Sequence, residues 1–345
     1  MAGGGHHLTH AIDYDELIPT AAAEAGRQDL SRHVEGVPGP LCLEHVTIQE
    51  TALNHAIDAG AEVLRGVSRP SIALGESPIV FFEYRGSRQE INCRWLVGAD
   101  GRTSMVRRQL GLKLNEDPLD HLIVGLLLEG ADDWPQDQQS VGKFGDIHYL
   151  IFPQGNGKIR IYADYAYRGQ ARFNGEKGAY ELLQAFDFSG VPHSKAIAQG
   201  RPIGPSRSFP SQDAWIDVPV ALGVILIGDA AGYNDPILGQ GLSITLRDAR
   251  MVGDALLSSS EWSEATFEPY VAERAERLRR LRITARIATT VFARFGAEDI
   301  ARRARIFQRL AENPTHGLVL STAFAGPERV PARYFSPEFL DKLLA

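Results

Sequence analysis

The chain has 345 residues, 44% of them apolar and 23% charged, an ordinary globular composition with enough length for two intertwined domains. With 36 Lys and Arg against 43 Asp and Glu the net charge is −7, which argues against a nucleic-acid surface. No apolar run reaches membrane-spanning length, and the opening MAGGGHHLTH has no apolar signal core, so a cytoplasmic protein is expected.

In chain order, residues 1–40 are rich in Gly, His and Pro, with a weak strand signal over 7–14. His6, His7 and His10 are irregularly spaced and no metal site is expected there. Cys42 and Cys93 lack metal or redox spacing and read as reduced thiols. Residues 44–63 read as a helix whose apolar face is Val46, Leu53, Ala56 and Ile57, stopped at Gly60 and running into a strand over 61–67. Strands are expected over 79–84 and 90–97, with Arg85-Gly86-Ser87-Arg88 as the hairpin turn, and a helix over 103–110. Beyond Leu112 the pattern becomes long strands, over 121–129, 145–152 and 158–167, with aromatic residues such as Tyr149, Phe152 and Tyr162 that either line a pocket or fill a core. A Pro-rich return over 201–219 precedes the apolar run 224–227, and the remainder is helical, clearest over 266–294 and 298–311, with a short packed tail over 327–345. The Arg-rich stretch 273–286, with interleaved Glu, reads as a solvated amphipathic helix. His45, His55, His121, His148 and His193 read as packed or surface residues.

Two motifs carry chemistry. Residues 224–248 read VILIGDAAGYNDPILGQGLSITLRD: a buried strand delivers Asp229 to its C-terminal end, and Gly239-Gln240-Gly241 opens a helix aimed at the same place. A carboxylate there accepts hydrogen bonds from sugar hydroxyls, and exposed helix-start amides favour negative charge on a ligand. The second motif is Gly98-Ala99-Asp100-Gly101-Arg102-Thr103-Ser104, with Arg107 behind it. Read alone, Asp100-Gly101 is an ordinary turn pair.

The order and spacing of these motifs resemble the group A FAD-dependent monooxygenases, the aromatic hydroxylase flavoproteins. The resemblance implies an α/β fold: an FAD/NAD(P)-binding Rossmann-like domain, incomplete at the N-terminus, with an inserted α+β substrate domain and a helical C-terminal region. The divisions expected are 1–111 and 216–260 for the FAD-binding domain, 112–215 for the substrate sheet and 261–345 for the C-terminal helices. It further implies FAD as cofactor, with Asp229, and Ala230 beside it, at the ribityl chain. Pro236 would lie beside the isoalloxazine, the amides around Gly239, Gln240, Gly241 and Leu242 would face its pyrimidine edge, and Asp100 and Gly101 would sit near the pyrophosphate. Arg107 would brace the motif.

The implied activity is NAD(P)H-driven oxygenation of a small organic substrate, aromatic or polyketide-like, through a C4a-hydroperoxyflavin. No catalytic residue is assigned, and the oligomeric state is open.

The chain departs from the family pattern. Gly232 and Ser243 stand where many members have His and Asn, and the N-terminal glycine-rich dinucleotide loop is missing from the sequence. The expectation is therefore a truncated form of a longer flavoprotein, in which the 224–227 strand lacks its central partner. Two rival readings are a related flavin reductase and a non-catalytic remnant or binding scaffold without FAD. A halogenase reading needs a Trp-x-Trp-x-Ile-Pro signature, which Trp95, Trp134, Trp215 and Trp262 do not form.

Overall fold

The structure is a computed structural model and describes residues 6–15, 24–32, 35–36 and 38–345. In chain order, β1 (His10–Asp15) and β2 (Glu24–Asp29) precede the helix α1 (His45–Asp58). A meander of β3 (Ser71–Ala73), β4 (Ile79–Tyr84) and β5 (Ser87–Asn92) follows, then the short strand β6 (Leu96–Gly98) and the helix α2 (Met105–Gln109). Next come β7 (His121–Glu129), β8 (Gln138–Phe144), β9 (Ile147–Gly155), β10 (Lys158–Ala166), α3 (Gly175–Ala185), α4 (Ser194–Gln199) and β11 (Arg207–Ser211). The strands β12 (Val220–Ala221) and β13 (Val224–Leu226) lead into α5 (Gly241–Ser258), α6 (Glu268–Ala288), α7 (Ala297–Glu312) and α8 (Pro337–Leu344).

An eight-stranded sheet runs in the order Arg201–Pro202, β7, β10, β9, β8, β1, β2, with β11 also paired to β7. All its pairs are antiparallel except β1 with β8. Its tight turns follow from sequence. Asn156 and Gly157, at φ 55° and 70°, join β9 to β10 in the left-handed conformation that matches strand twist. Along β7, Leu122, Val124, Leu126 and Leu128 alternate onto one face. That face packs against Leu182 and Leu183 of α3 and Ile197 of α4 to form the largest core.

A second, smaller sheet holds β12, β13 and β6 in that order. β13 pairs parallel with β6, Val224 opposite Leu96 and Leu226 opposite Gly98, and antiparallel with β12. This corrects the expectation that the 224–227 strand lacks a partner: it is bonded on both sides. Among the described residues β12 and β6 are the two edges of this sheet.

Other expectations are also corrected. Residues 61–67 form no strand, because no neighbouring strand offers them a ladder. The hairpin turn before β5 is only Arg85-Gly86, both at positive φ, so pairing resumes at Ser87. The helix over 44–63 is present as α1, but its apolar face is not buried among the described residues, with Val46 and Ile57 exposed. The tail packs as expected: Leu340 and Leu343 join Ile287, Val291 and Ile306 in one cluster. No helix among the described residues is long and apolar enough to cross a membrane.

Candidate functional site

The two motifs leave the C-terminal ends of neighbouring parallel strands, where open α/β sheets place their ligands. The Ile227 amide donates to the Gly98 carbonyl at 3.0 Å, so Asp100 and Asp229 follow directly from one bonded edge.

Asp100 is held by its own turn. Its carboxylate accepts from Ser104 Oγ at 2.5 Å and from the Met105 and Val106 amides at 2.6 and 3.1 Å, capping α2. Burial works against the charge, but these hydrogen bonds outweigh it and keep the carboxyl below its usual range. Arg107 joins the motifs: its guanidinium donates to the Ala230 carbonyl at 2.9 Å and to the Arg102 carbonyl at 2.9 Å. That is the bracing role the resemblance implies for it.

Asp229 differs from Asp100. Its side chain is half-buried and makes no hydrogen bond among the described residues. Burial pushes its carboxyl up, with Arg102 and Arg274 pulling it back. A half-desolvated carboxylate without donors is an acceptor in waiting.

The turn over 228–232 is fixed from beneath by two helices. Asp248 of α5, fully buried, accepts the Gly228 amide at 2.9 Å. Arg274 of α6 donates to Asp248 and to the carbonyls of Gly228, Ala231 and Gly232 at 3.1, 3.2 and 3.0 Å. Arg277, one turn on, donates to Asp248 Oδ1 at 2.6 Å, and the Tyr270 hydroxyl donates to the Leu226 carbonyl at 2.7 Å. The Arg-rich helix is thus not a solvated face. Arg274 and Arg277 are only 2% and 6% exposed, because a buried Asp248 requires cations beside it.

Gly232 explains one departure from the family pattern. Its φ is 115°, and a Cβ there would lie 2.5 Å from the Ala214 carbonyl oxygen, so no side chain fits.

Beyond the turn, Asp235 accepts from the Ile237 amide at 3.0 Å and Pro236 opens a short helical turn ending at Gly239. Gln240 precedes α5 and is pinned through Nε2 to the carbonyls of Leu238 and Ala323. The first intrahelical bond runs from the Ile244 amide to the Gln240 carbonyl, so the amides of Gly241, Leu242 and Ser243 precede it without helical acceptors. Gly239, Gly241 and Leu242 are exposed.

The sheet aromatics divide between the two faces. Tyr149 packs among Phe144, Phe186 and Phe188 in the core and cannot face a ligand. Phe152 and Tyr162 lie on the opposite face, edge to face at 6.2 Å. That face also holds a buried pair, His148 Nδ1 to Asp164 Oδ2 at 2.9 Å, with the imidazole stacked on Phe292.

Residues 29–159, including Asp100, match a family model described as an FAD binding domain. The chain is 26% identical over 228 residues to digeranylgeranylglycerophospholipid reductase 2 of Methanothermobacter thermautotrophicus, covering 64% of this chain and 55% of the relative. It is 28% identical over 265 residues to 6-methylpretetramide 4-monooxygenase of Streptomyces rimosus, covering 74% and 45%. Overall it spans 55 to 66% of the length of the archaeal reductases it matches. Among solved structures, Klebsiella pneumoniae HpxO complexed with FAD and uric acid superposes with a TM-score of 0.73 at 19% identity, covering 96% of this chain and 83% of that one. The chain therefore has the mixed α/β fold of the FAD-dependent hydroxylases, and the cofactor of that fold is FAD.

Proposed function

We propose that this chain is an FAD-dependent monooxygenase acting on a small organic substrate with NAD(P)H as reductant. The observation that carries the reading is Asp229: a carboxylate without donors on a rigidly braced turn, beside the open N-terminus of α5. In this reading Asp229 accepts from the ribityl hydroxyls, with Ala230 beneath. Pro236 flanks the ring. The amide dipoles around Gly239, Gln240, Gly241 and Leu242 stabilise negative charge at its pyrimidine edge. Asp100 and Gly101 shape the path toward the pyrophosphate. Bound there, FAD supplies the transfer of electrons from a nicotinamide to oxygen. The sheet face carrying Phe152 and Tyr162 presents an apolar, aromatic wall to substrate.

The test is a titration of the purified chain with FAD, followed by flavin fluorescence, then addition of NADH or NADPH in air. Saturable binding with oxygen consumption supports the proposal; absence of flavin binding overturns it. The identity to archaeal reductases favours one second reading, a flavin reductase that saturates a carbon–carbon double bond. Electron delivery to an alkene under anaerobic conditions, without oxygen incorporation, distinguishes it. Failure of flavin binding would leave the binding-scaffold reading.

A further inference from the structure

A cavity of about 510 Å³ lies where residues 117–121, leading into β7, meet residues 211–213, leaving β11, and the inner side of α6. None of Asp100, Asp229, Pro236 or residues 239–242 lines it; Asp235, just before Pro236, is its link to the flavin-side loop.

Most of the charges around it are already matched. Asp120 pairs with Arg294 at 2.7 Å, and Arg279 pairs with Glu276 at 2.7 Å. Asp213 accepts from the Asn234 amide group and from the Asp235 amide, and Asp235 caps Ile237. Asp117 and Arg286 are exposed at the mouth.

Three groups are left over. The half-buried Arg282 guanidinium stacks over the Trp215 ring at 4.0 Å and makes no ion pair or hydrogen bond among the described residues. Ser211 Oγ and both ring nitrogens of His121 have no hydrogen-bond partner, although each residue is only 1% exposed. His121 Nε2 lies 3.4 Å from Asp235 Oδ1 but outside hydrogen-bond alignment. His121 and Ser211 are direct partners in the register of β7 and β11, so their side chains emerge together on one face. Unmatched polar groups are costly to bury, and three of them around one cavity mark a place built for a polar occupant. The apolar part of the wall comes from Leu119, Ile283 and Leu340.

We propose that this cavity binds a small organic carboxylate, its charge against Arg282 and its remaining polar atoms on Ser211 and His121. The Arg282 guanidinium is bonded to no carboxylate among the described residues but lies within the field of Asp213, Asp117 and Asp217, so it suits a single negative charge better than a dianion such as phosphate. The volume is that of an ordinary small-molecule site. The proposal does not depend on flavin binding.

The test uses the full chain without added flavin, titrated calorimetrically with benzoate and with its neutral isostere benzamide. Benzoate is expected to bind saturably at one site, with benzamide about tenfold weaker or more, and Arg282→Gln weakening benzoate by about tenfold. Ser211→Ala removes a hydroxyl that bonds nothing, so it is expected to weaken benzoate about threefold or more while leaving the melting temperature unchanged or higher. That variant carries the test if Arg282→Gln unfolds. No saturable benzoate heat, equal binding of benzamide, or affinities unchanged by Ser211→Ala would overturn the proposal and leave the cavity to solvent.

Discussion

Arg274 Nε donates to Asp248 Oδ2 at 2.9 Å, and the same oxygen accepts the Gly228 amide at 2.9 Å. One buried carboxylate therefore ties α5 and α6 to the turn that presents Asp229. Replacing it leaves two buried guanidinia without their shared anion. Asp248→Ala is expected to lower stability by ~3–5 kcal/mol, measured by urea denaturation, and to abolish flavin binding in whatever fraction remains folded.

Asp229 predicts the opposite pattern. Its carboxylate is held half out of water without donors, so the folded chain gains little from it. Asp229→Ala is expected to leave the melting temperature unchanged or slightly raised, while FAD affinity falls by about tenfold or more. A fall in stability with flavin affinity intact would contradict the assigned role.

Arg107 bridges the Asp100 and Asp229 turns through two separate carbonyl acceptors. A lysine cannot reproduce that fork. Arg107→Lys is expected to weaken FAD binding by about tenfold and to cost about 1–3 kcal/mol, read from parallel flavin titration and denaturation curves.

At Gly232 any Cβ meets the Ala214–Trp215 backbone, in a conformation side chains rarely adopt. Gly232→Ala is expected to destabilise the chain by about 1–3 kcal/mol or more, by thermal unfolding. A neutral substitution would show that the turn relaxes freely.

Asp213 sets a pH dependence. Burial raises its carboxyl from 3.8 to about 7, with Asn234 pulling it back and Asp235 pushing it further. The unfolded carboxyl ionises first, so the folded form binds the extra proton between those values. Stability is then greatest below about pH 4 on this group's account and declines up to about pH 7. Asp213→Asn is expected to flatten that decline, which stability curves at pH 4, 5.5 and 7 would detect.

Much of this was legible in sequence because it is written in local terms. The apolar run into Gly228-Asp229, the glycines before α5 and the alternation of β7 each declare an element from neighbouring residues. What sequence hid was pairing at a distance. Arg274 and Arg277 look like any amphipathic surface until Asp248 is found buried opposite them. Tyr149 and Tyr162 carry the same chemistry on adjacent strands, and only strand parity sends one to the core and the other to the far face. His121 and Ser211 become a pair solely through the register of β7 with β11.

The parallel contact between β6 and β13 also bears on how the protein folds. Leu96 and Val224 lie about 130 residues apart, so closing that loop from an unfolded chain carries a large entropy cost before any contact rewards it. The antiparallel strands β8, β9 and β10 are joined by short turns and gather locally, and β7 closes onto β10 over about 30 residues. Once they fold, the two distant strands are brought near each other by a compact body in place of a flexible tether. The turns bearing Asp100 and Asp229 are thus expected to meet late, and a variant that slows the intervening sheet would delay the cradle without touching any residue in it.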